Sequence, residues 1–375
     1  MNSADMRLVT MPKWGLAMTK GKVVAWLVEE GANLHSGLEL AEVETEKILT
    51  SIESPSSGIL RRKVAHEGDV VAVGGLVGVI AEALVPDAQI DSAIAEFRAP
   101  VLVEAKEKGQ SFGQQAVEVQ GRRLAYLRMG DNAEPVILIH GFGGNLSNWM
   151  FNHEALAEKH TVYALDLPGH GSSSKKVETG TVTEFVGVLN GFIDSLGVTR
   201  GHFIGHSMGG AIAVAFAANH PERVQSLVLI ASAGLGLEIN EEYIRGFITA
   251  GRRKEIKRHL EKLFADPRLA SQQLVDEILR YKRLDGVEEA LSTIATAFFP
   301  AGQQAVSLRE QLSQLRLPTL ILWGADDLIL PVSHAQALPK EIKTEILHGY
   351  GHMVHMEASA KVNQIISSFW ESIVQ

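Results

Sequence analysis

At 375 residues, 46% hydrophobic and 21% charged, the chain has the composition of a folded globular protein with room for two or three domains. Its net charge of −9 argues against a broad nucleic-acid surface, which needs a basic face to displace counterions. The absence of cysteine excludes disulfides, a thiol nucleophile and thiolate zinc sites; with no apolar run of signal-peptide or membrane-spanning length, it leads us to expect a cytoplasmic protein without a membrane partner.

Between Gly21 and Ala81 the sequence repeats itself after a shift of 37 positions (58 − 21 = 37): Gly21 falls on Gly58, Glu30-Gly31 on Glu67-Gly68, Leu34 on Val71, Gly37 on Gly74 and Leu40 on Val77. Short strands with a glycine turn after an acidic residue, written twice, predict a small pseudo-symmetric β-barrel or sandwich. Glu44-Thr45-Glu46-Lys47-Ile48 lies between the halves and sets a lysine at a hairpin tip. A tip lysine is ordinarily solvent decoration; this one stands near the middle of a two-fold repeat behind acidic residues.

The stretch from Arg7 to Ala81 resembles a lipoyl domain in its Met11-Pro12-Lys13-Trp14-Gly15 opening, its Glu30-Gly31 turn, its Glu-Thr-Glu-Lys core and its Ser57-Gly58 turn. The resemblance implies an all-β barrel-sandwich of the biotinyl/lipoyl type over residues 1–84, with lipoic acid in amide linkage on Lys47. Biotinyl domains flank that lysine with methionine, and Glu46 and Ile48 do not fit that pattern. From 85 to 115 the strand pattern stops. Asp91 to Phe97 admits a short helix, and Pro86, Pro100, Gly109 and Gly113 break up the rest, so a flexible linker is expected.

From 116 to 375 strands alternate with helices, which predicts a mostly parallel sheet covered on both faces. Strands are expected at Pro135–His140, Thr161–Leu165, Gly201–His206, Val224–Ala231, Pro318–Trp323 and Thr344–Leu347; about 236–305 reads as amphipathic helices, a cap over the sheet's carboxyl edge. Gly205-His206-Ser207-Met208-Gly209 joins a strand to an alanine-rich helix. That is the G-x-S-x-G setting in which a sharp turn exposes a serine. The alternative for Ser207 is a plain helix N-cap.

Trp323-Gly324-Ala325-Asp326-Asp327 places acids past one strand end, and His348-Gly349-Tyr350-Gly351-His352 places histidines past the next. The order Ser, Asp, His gives Ser207 as nucleophile and His352 as base, and the pattern W-G-x-x-D-x-x-x-P selects Asp327 as orienting acid, with Asp326 a loop or capping group and His348 and His355 structural. The backbone N–H groups of Phe142, in His-Gly-Phe-Gly-Gly, and of Met208 are the expected oxyanion donors. No metal site is expected. Arg252, Arg253, Lys254, Lys257 and Arg258 form a basic run in the cap. Such runs are usually solvated faces.

These motifs resemble the α/β-hydrolase family over about 116–375. Chains that join such a domain to a lipoyl domain are similar to the acetyltransferase components of acetoin dehydrogenase complexes. The resemblance implies an acyltransferase that moves acetyl from the arm on Lys47 to coenzyme A, and with it the alternative for the basic run, that Arg252 and Arg253 contact the coenzyme A phosphates. It also implies a thiamine-diphosphate-dependent acetoin dehydrogenase and a dihydrolipoamide dehydrogenase as partners, and homo-oligomers within a complex. The H-x-x-x-D-G signature of ordinary 2-oxo-acid transacetylases is absent; Tyr281-Lys282-Arg283-Leu284-Asp285-Gly286 has tyrosine in place of histidine. A thioesterase or carboxylic-ester hydrolase with an accessory lipoyl domain is the alternative.

Overall fold

A computed structural model describes residues 6–12, 20–44, 49–97, 114–336 and 338–374, and the chain divides into two units, Met1–Ser111 and Phe112–Gln375. In the first unit the sequence repeat becomes topology. Strands β1 (Met6–Thr10), β2 (Lys20–Trp26), β3 (Asn33–Leu34), β4 (Glu39–Glu44), β5 (Leu49–Glu53), β6 (Gly58–Lys63), β7 (Val70–Ala72) and β8 (Leu76–Ala81) form two antiparallel sheets, ordered β1-β8-β6-β3 and β5-β4-β2-β7. Exchanging β1 with β5, β2 with β6, β3 with β7 and β4 with β8 converts one order into the other. Inward-facing residues on alternate positions, Val23, Leu40, Val43, Ile52, Leu60 and Val77, close a common core. The edge strand β5 pairs with β4, Leu49 opposite Glu44. Lys47 lies with residues 45–48 outside the described residues.

The segment expected as a linker opens with helix α1 (Asp87–Glu96), which starts ahead of the helix expected at 91–97. Ile90 packs against Val79, Ala81 and Val85. Arg61 donates to Asp87 Oδ1 at 2.7 Å and to the carbonyls of Glu82 and Val85, so the helix is held on the sandwich. Residues 98–113 lie outside the described residues.

The second unit is built on strands β9 (Gln114–Val119), β10 (Arg122–Met129), β11 (Pro135–Ile139), β12 (Thr161–Leu165), β13 (Gly201–His206), β14 (Val224–Ile230), β15 (Thr319–Gly324) and β16 (Lys343–Leu347), in the order β16-β15-β14-β13-β11-β12-β10-β9. The six strands from β11 to β16 are parallel, and β9 and β10 add an antiparallel edge. Along β11 the residues alternate between two cores: Ile137 and Ile139 join one cluster, Val136 and Leu138 the other. A strand buried on both faces therefore reads as an unbroken apolar run.

Helices α2 (His153–Ala157), α3 (Val182–Ser195) and α4 (Met208–Asn219) follow β11, β12 and β13. α4 is apolar all round because Met208 to Ala217 are buried on every side. Between β14 and β15 the chain leaves the sheet to form α5 (Glu241–Thr249), α6 (Arg253–Leu260), α7 (Gln272–Lys282) and α8 (Val287–Phe298), the expected cap, and an isolated bridge between Glu238 and Gln303 ties its two ends. Tyr243, Phe247, Ile278 and Phe298 of the cap share one core with α3 and α4. After α9 (Arg309–Gln314), helices α10 (Val354–Glu357) and α11 (Ser359–Val374) close the opposite face, α11 through Val362, Ile366, Phe369 and Trp370.

Candidate active site

The carboxyl ends of β11, β13, β15 and β16 bring together the loops that carry the expected site residues. Ser207 sits between β13 and α4 at φ 53°, ψ −120°. A non-glycine residue held in such a region stores about 1–3 kcal/mol of strain, which surrounding structure must impose. Here the Ser207 N–H donates to the Ile230 carbonyl at 3.0 Å, and its own carbonyl accepts from Gly210 and Ala233. The glycines on either side are steric necessities: a Cβ at Gly205 would strike the Gly209 carbonyl, and one at Gly209 the carbonyls of Ile139 and His140.

Asp327 follows β15 and His352 follows β16. His352 Nδ1 lies 2.8 Å from Asp327 Oδ2, with both side chains buried. The other carboxylate oxygen, Oδ1, accepts from the N–H groups of Ile329 at 2.7 Å and Leu330 at 3.0 Å, which fixes the acid's orientation. Neighbouring Asp326 is exposed, as is His348. His355 is fully buried, its ring 4.6 Å from that of His206 and 4.7 Å from that of Trp149, and burial lowers its pKa to about 3.

The glycine loop after β11 is wired by histidines that sequence reasoning missed. His140 donates from Nδ1 to the Gly141 carbonyl at 2.8 Å, and its Nε2 accepts from Leu167 N–H at 3.0 Å. His170 donates from Nδ1 to Pro168, and its Nε2 accepts from Gly143 N–H at 3.0 Å. His206 donates from Nε2 to the carbonyl of His352 at 3.0 Å. Burial keeps all three far below the usual imidazole pKa, His140 at about 4. Gly144 N–H is taken by the Gly141 carbonyl. Among the described residues no acceptor meets the N–H of Phe142 or of Met208, so both expected oxyanion donors are open.

Two carboxylates, Asp166 buried and Glu357 half-buried, lock the loops. Asp166 accepts from Leu146 and Ser172 N–H at 2.7 Å each, and burial raises its pKa. Glu357 accepts from Gly351, beside His352, at 2.8 Å and from Ala265 of the cap at 2.9 Å; burial raises its pKa too. Gly141, Phe142, Ser207 and His352 line one cavity whose remaining walls are largely apolar cap residues, among them Ile239, Tyr243, Ile244, Phe247, Leu263, Ile278 and Phe299.

The basic run of the cap lies elsewhere. Arg253 pairs with Asp276 at 2.7 Å, Arg258 with Glu242 and Lys257 with Glu261, and neither Arg252 nor Arg253 lines the cavity. Tyr281, at the position where a transacetylase histidine would stand, is buried and donates to the Gly169 carbonyl at 2.8 Å.

Sheet order, cap and strained serine define the class: an α/β-hydrolase-fold protein joined to a lipoyl-type domain. A family model described as alpha/beta hydrolase fold matches residues 134–359, and one described as biotin-requiring enzyme matches residues 7–80. A meta-cleavage product hydrolase from Pseudomonas fluorescens, solved with acetates, superposes with a TM-score of 0.64 at 24% identity, over 69% of this chain and 98% of that one. The dihydrolipoyllysine-residue acetyltransferase components of the acetoin cleaving systems of Cupriavidus necator and Pseudomonas putida are each 43% identical to this chain. The first match covers 96% of both chains, the second 98% of this chain and 99% of the relative. The chain belongs to this family of acetoin-system dihydrolipoyllysine-residue acetyltransferases. Among the described residues no helix is long and apolar enough to cross a membrane.

Proposed function

We propose that the chain moves acetyl from a lipoyl arm on Lys47 to coenzyme A through an acetyl-enzyme on Ser207. The observation that carries this reading is the Asp327–His352 pair at 2.8 Å, facing the same apolar cavity as a serine in a strained turn, on a chain that also carries a lipoyl domain. A lipoyl group supplies a thiol that holds acetyl as a reactive thioester at the end of a long arm.

Ser207 Oγ bonds to the acetyl carbonyl carbon as its proton passes to His352 Nε2, and Asp327 stabilises the imidazolium through Nδ1–H. The N–H groups of Phe142 and Met208 receive the oxyanion, each worth roughly 3 kcal/mol of barrier. As the C–S bond breaks, His352 returns the proton to the departing sulfur, and acetyl stays on Ser207. His352 then takes the proton of the coenzyme A thiol. The sulfur attacks the ester carbonyl, and Ser207 Oγ leaves with the proton back from His352. In this reading a thiamine-diphosphate enzyme loads the arm and a dihydrolipoamide dehydrogenase reoxidises it.

The test supplies acetyl-dihydrolipoamide with and without coenzyme A to the native chain and to Ser207→Ala. Acetyl-coenzyme A from the native chain and none from the variant is expected. Full transfer by a folded Ser207→Ala overturns the covalent step, and acetate released at the same rate with or without coenzyme A makes the chain a thioesterase.

A further inference from the structure

Far from Ser207, at the amino ends of three neighbouring strands, the sheet order sets Glu134 just before β11, His160 just before β12 and His202 at the second position of β13. Their ligating atoms all lie within 4.8 Å of one another. Glu134 Oε2 is 3.6 Å from His160 Nδ1 and 3.9 Å from His202 Nε2, too far for hydrogen bonds. His160 Nδ1 is buried with no hydrogen-bond partner, an unfavourable state for a polar atom unless something else reaches it. A tetrahedral ion with bonds of about 2.0–2.1 Å holds its donors about 3.3 Å apart. Two of the three separations, 3.6 and 3.9 Å, are close to that spacing, and the third lies within 4.8 Å, so the two imidazoles must draw together to close around one.

The surroundings suit a ligand set. His202 Nδ1 is 2.7 Å from Ser226 Oγ, which accepts from Trp370 Nε1 at 3.0 Å, an outer contact of the kind that settles which imidazole nitrogen faces an ion. The Trp370 ring packs against both imidazoles, at 4.5 and 4.8 Å. The Glu134 side chain is half exposed, giving an ion a path from solvent and leaving room for a water ligand.

We propose that Glu134, His160 and His202 bind one divalent transition-metal ion of the zinc type. Five residues of strand separate His202 from Ser207, about 16 Å. The ion is therefore structural: it ties the turn after α2 to the sheet and, through Ser226 and Trp370, to α11. The test titrates Zn2+ into the chelator-treated full chain by calorimetry, with Co2+ absorption as a second probe. One ion per chain is expected, with affinity at least tenfold weaker in Glu134→Gln and in His160→Gln, and a thermal midpoint raised by Zn2+ in the native chain but not in Glu134→Gln. The half-exposed Glu134 makes its variant safe for folding if His160→Gln is not. Absence of saturable one-to-one binding, or binding that Glu134→Gln leaves unchanged, overturns the site.

Discussion

Asp327→Asn tests the catalytic reading at a single atom. Asp327 Oδ1 already accepts two backbone N–H groups, at 2.7 and 3.0 Å, so the amide oxygen of asparagine must stay there and its NH2 must face His352 Nδ1. Nδ1 then has to accept, which moves the imidazole proton to Nε2, the atom that should take the proton of Ser207. A triad with the wrong tautomer loses about 10^4 in rate, or about 5 kcal/mol of transition-state stabilisation. The opposite amide orientation would leave both backbone donors facing an NH2, about 1–3 kcal/mol each, and would appear as a lower melting temperature. The assay is the initial rate of acetyl-coenzyme A formation from acetyl-dihydrolipoamide, alongside a thermal melt. Exposed Asp326→Asn should stay within about twofold of the native rate, since surface changes are usually near neutral. A folded Asp327→Asn that lost less than about tenfold would refute the assignment of the orienting acid.

Lys47→Arg should abolish the added lipoyl mass in an intact-mass measurement and stop transfer from the chain's own arm, yet leave turnover of free acetyl-dihydrolipoamide intact; loss of both activities would place Lys47 in the catalytic unit instead. Arg252→Ala with Arg253→Ala should raise KM for coenzyme A and spare that for the acetyl donor, and an unchanged KM ends the phosphate-contact idea. Stability should fall as pH drops from about 6.5 toward 4. Buried His140 and His170 resist protonation in the fold while their unfolded counterparts protonate near 6.5, so in that window the unfolded state binds more protons. Above pH 7 both states are neutral and this contribution is constant. A melting temperature flat from pH 7 to 4 would show that these imidazoles do not matter to stability.

What the sequence made legible were features with short-range signals. The repeat between Gly21 and Ala81 predicted a small pseudo-symmetric barrel or sandwich, which the two matching sheets form, and the apolar runs that precede Ser207, Asp327 and His352 are strands β13, β15 and β16. The start of α1 was hidden because its helix rests on tertiary contacts of Ile90 and Arg61, not on local propensity. β9 alternates exposed and half-buried residues and lacks the unbroken apolar run that marks the central strands. The roles of His140, His170, Asp166 and Glu357 were out of reach for another reason: each acts through a backbone N–H supplied by a separate loop, 92 residues away in the bond from Ala265 to Glu357. The histidines in His-Gly-Phe-Gly-Gly and Pro-Gly-His-Gly did carry one local clue, a large polar ring amid glycines.

Those rings explain how the loop can present an N–H to solvent-free space. A glycine-rich turn over a cavity has several amide groups that need acceptors, and leaving all of them open would be costly. His170 Nε2 takes Gly143 N–H and the Gly141 carbonyl takes Gly144 N–H, while Phe142, which lines the cavity with Ser207, keeps an N–H that meets no acceptor among the described residues. The acceptor atom exists only on a neutral imidazole, which is why burial of His170 and the preorganisation of the loop are one arrangement. The apolar cap over the same cavity works in the same direction. Ile239, Ile244, Phe247 and Phe299 offer water no hydrogen bonds, so in the proposed mechanism a Ser207 ester formed beneath them would meet an arriving thiol with little competition from hydrolysis.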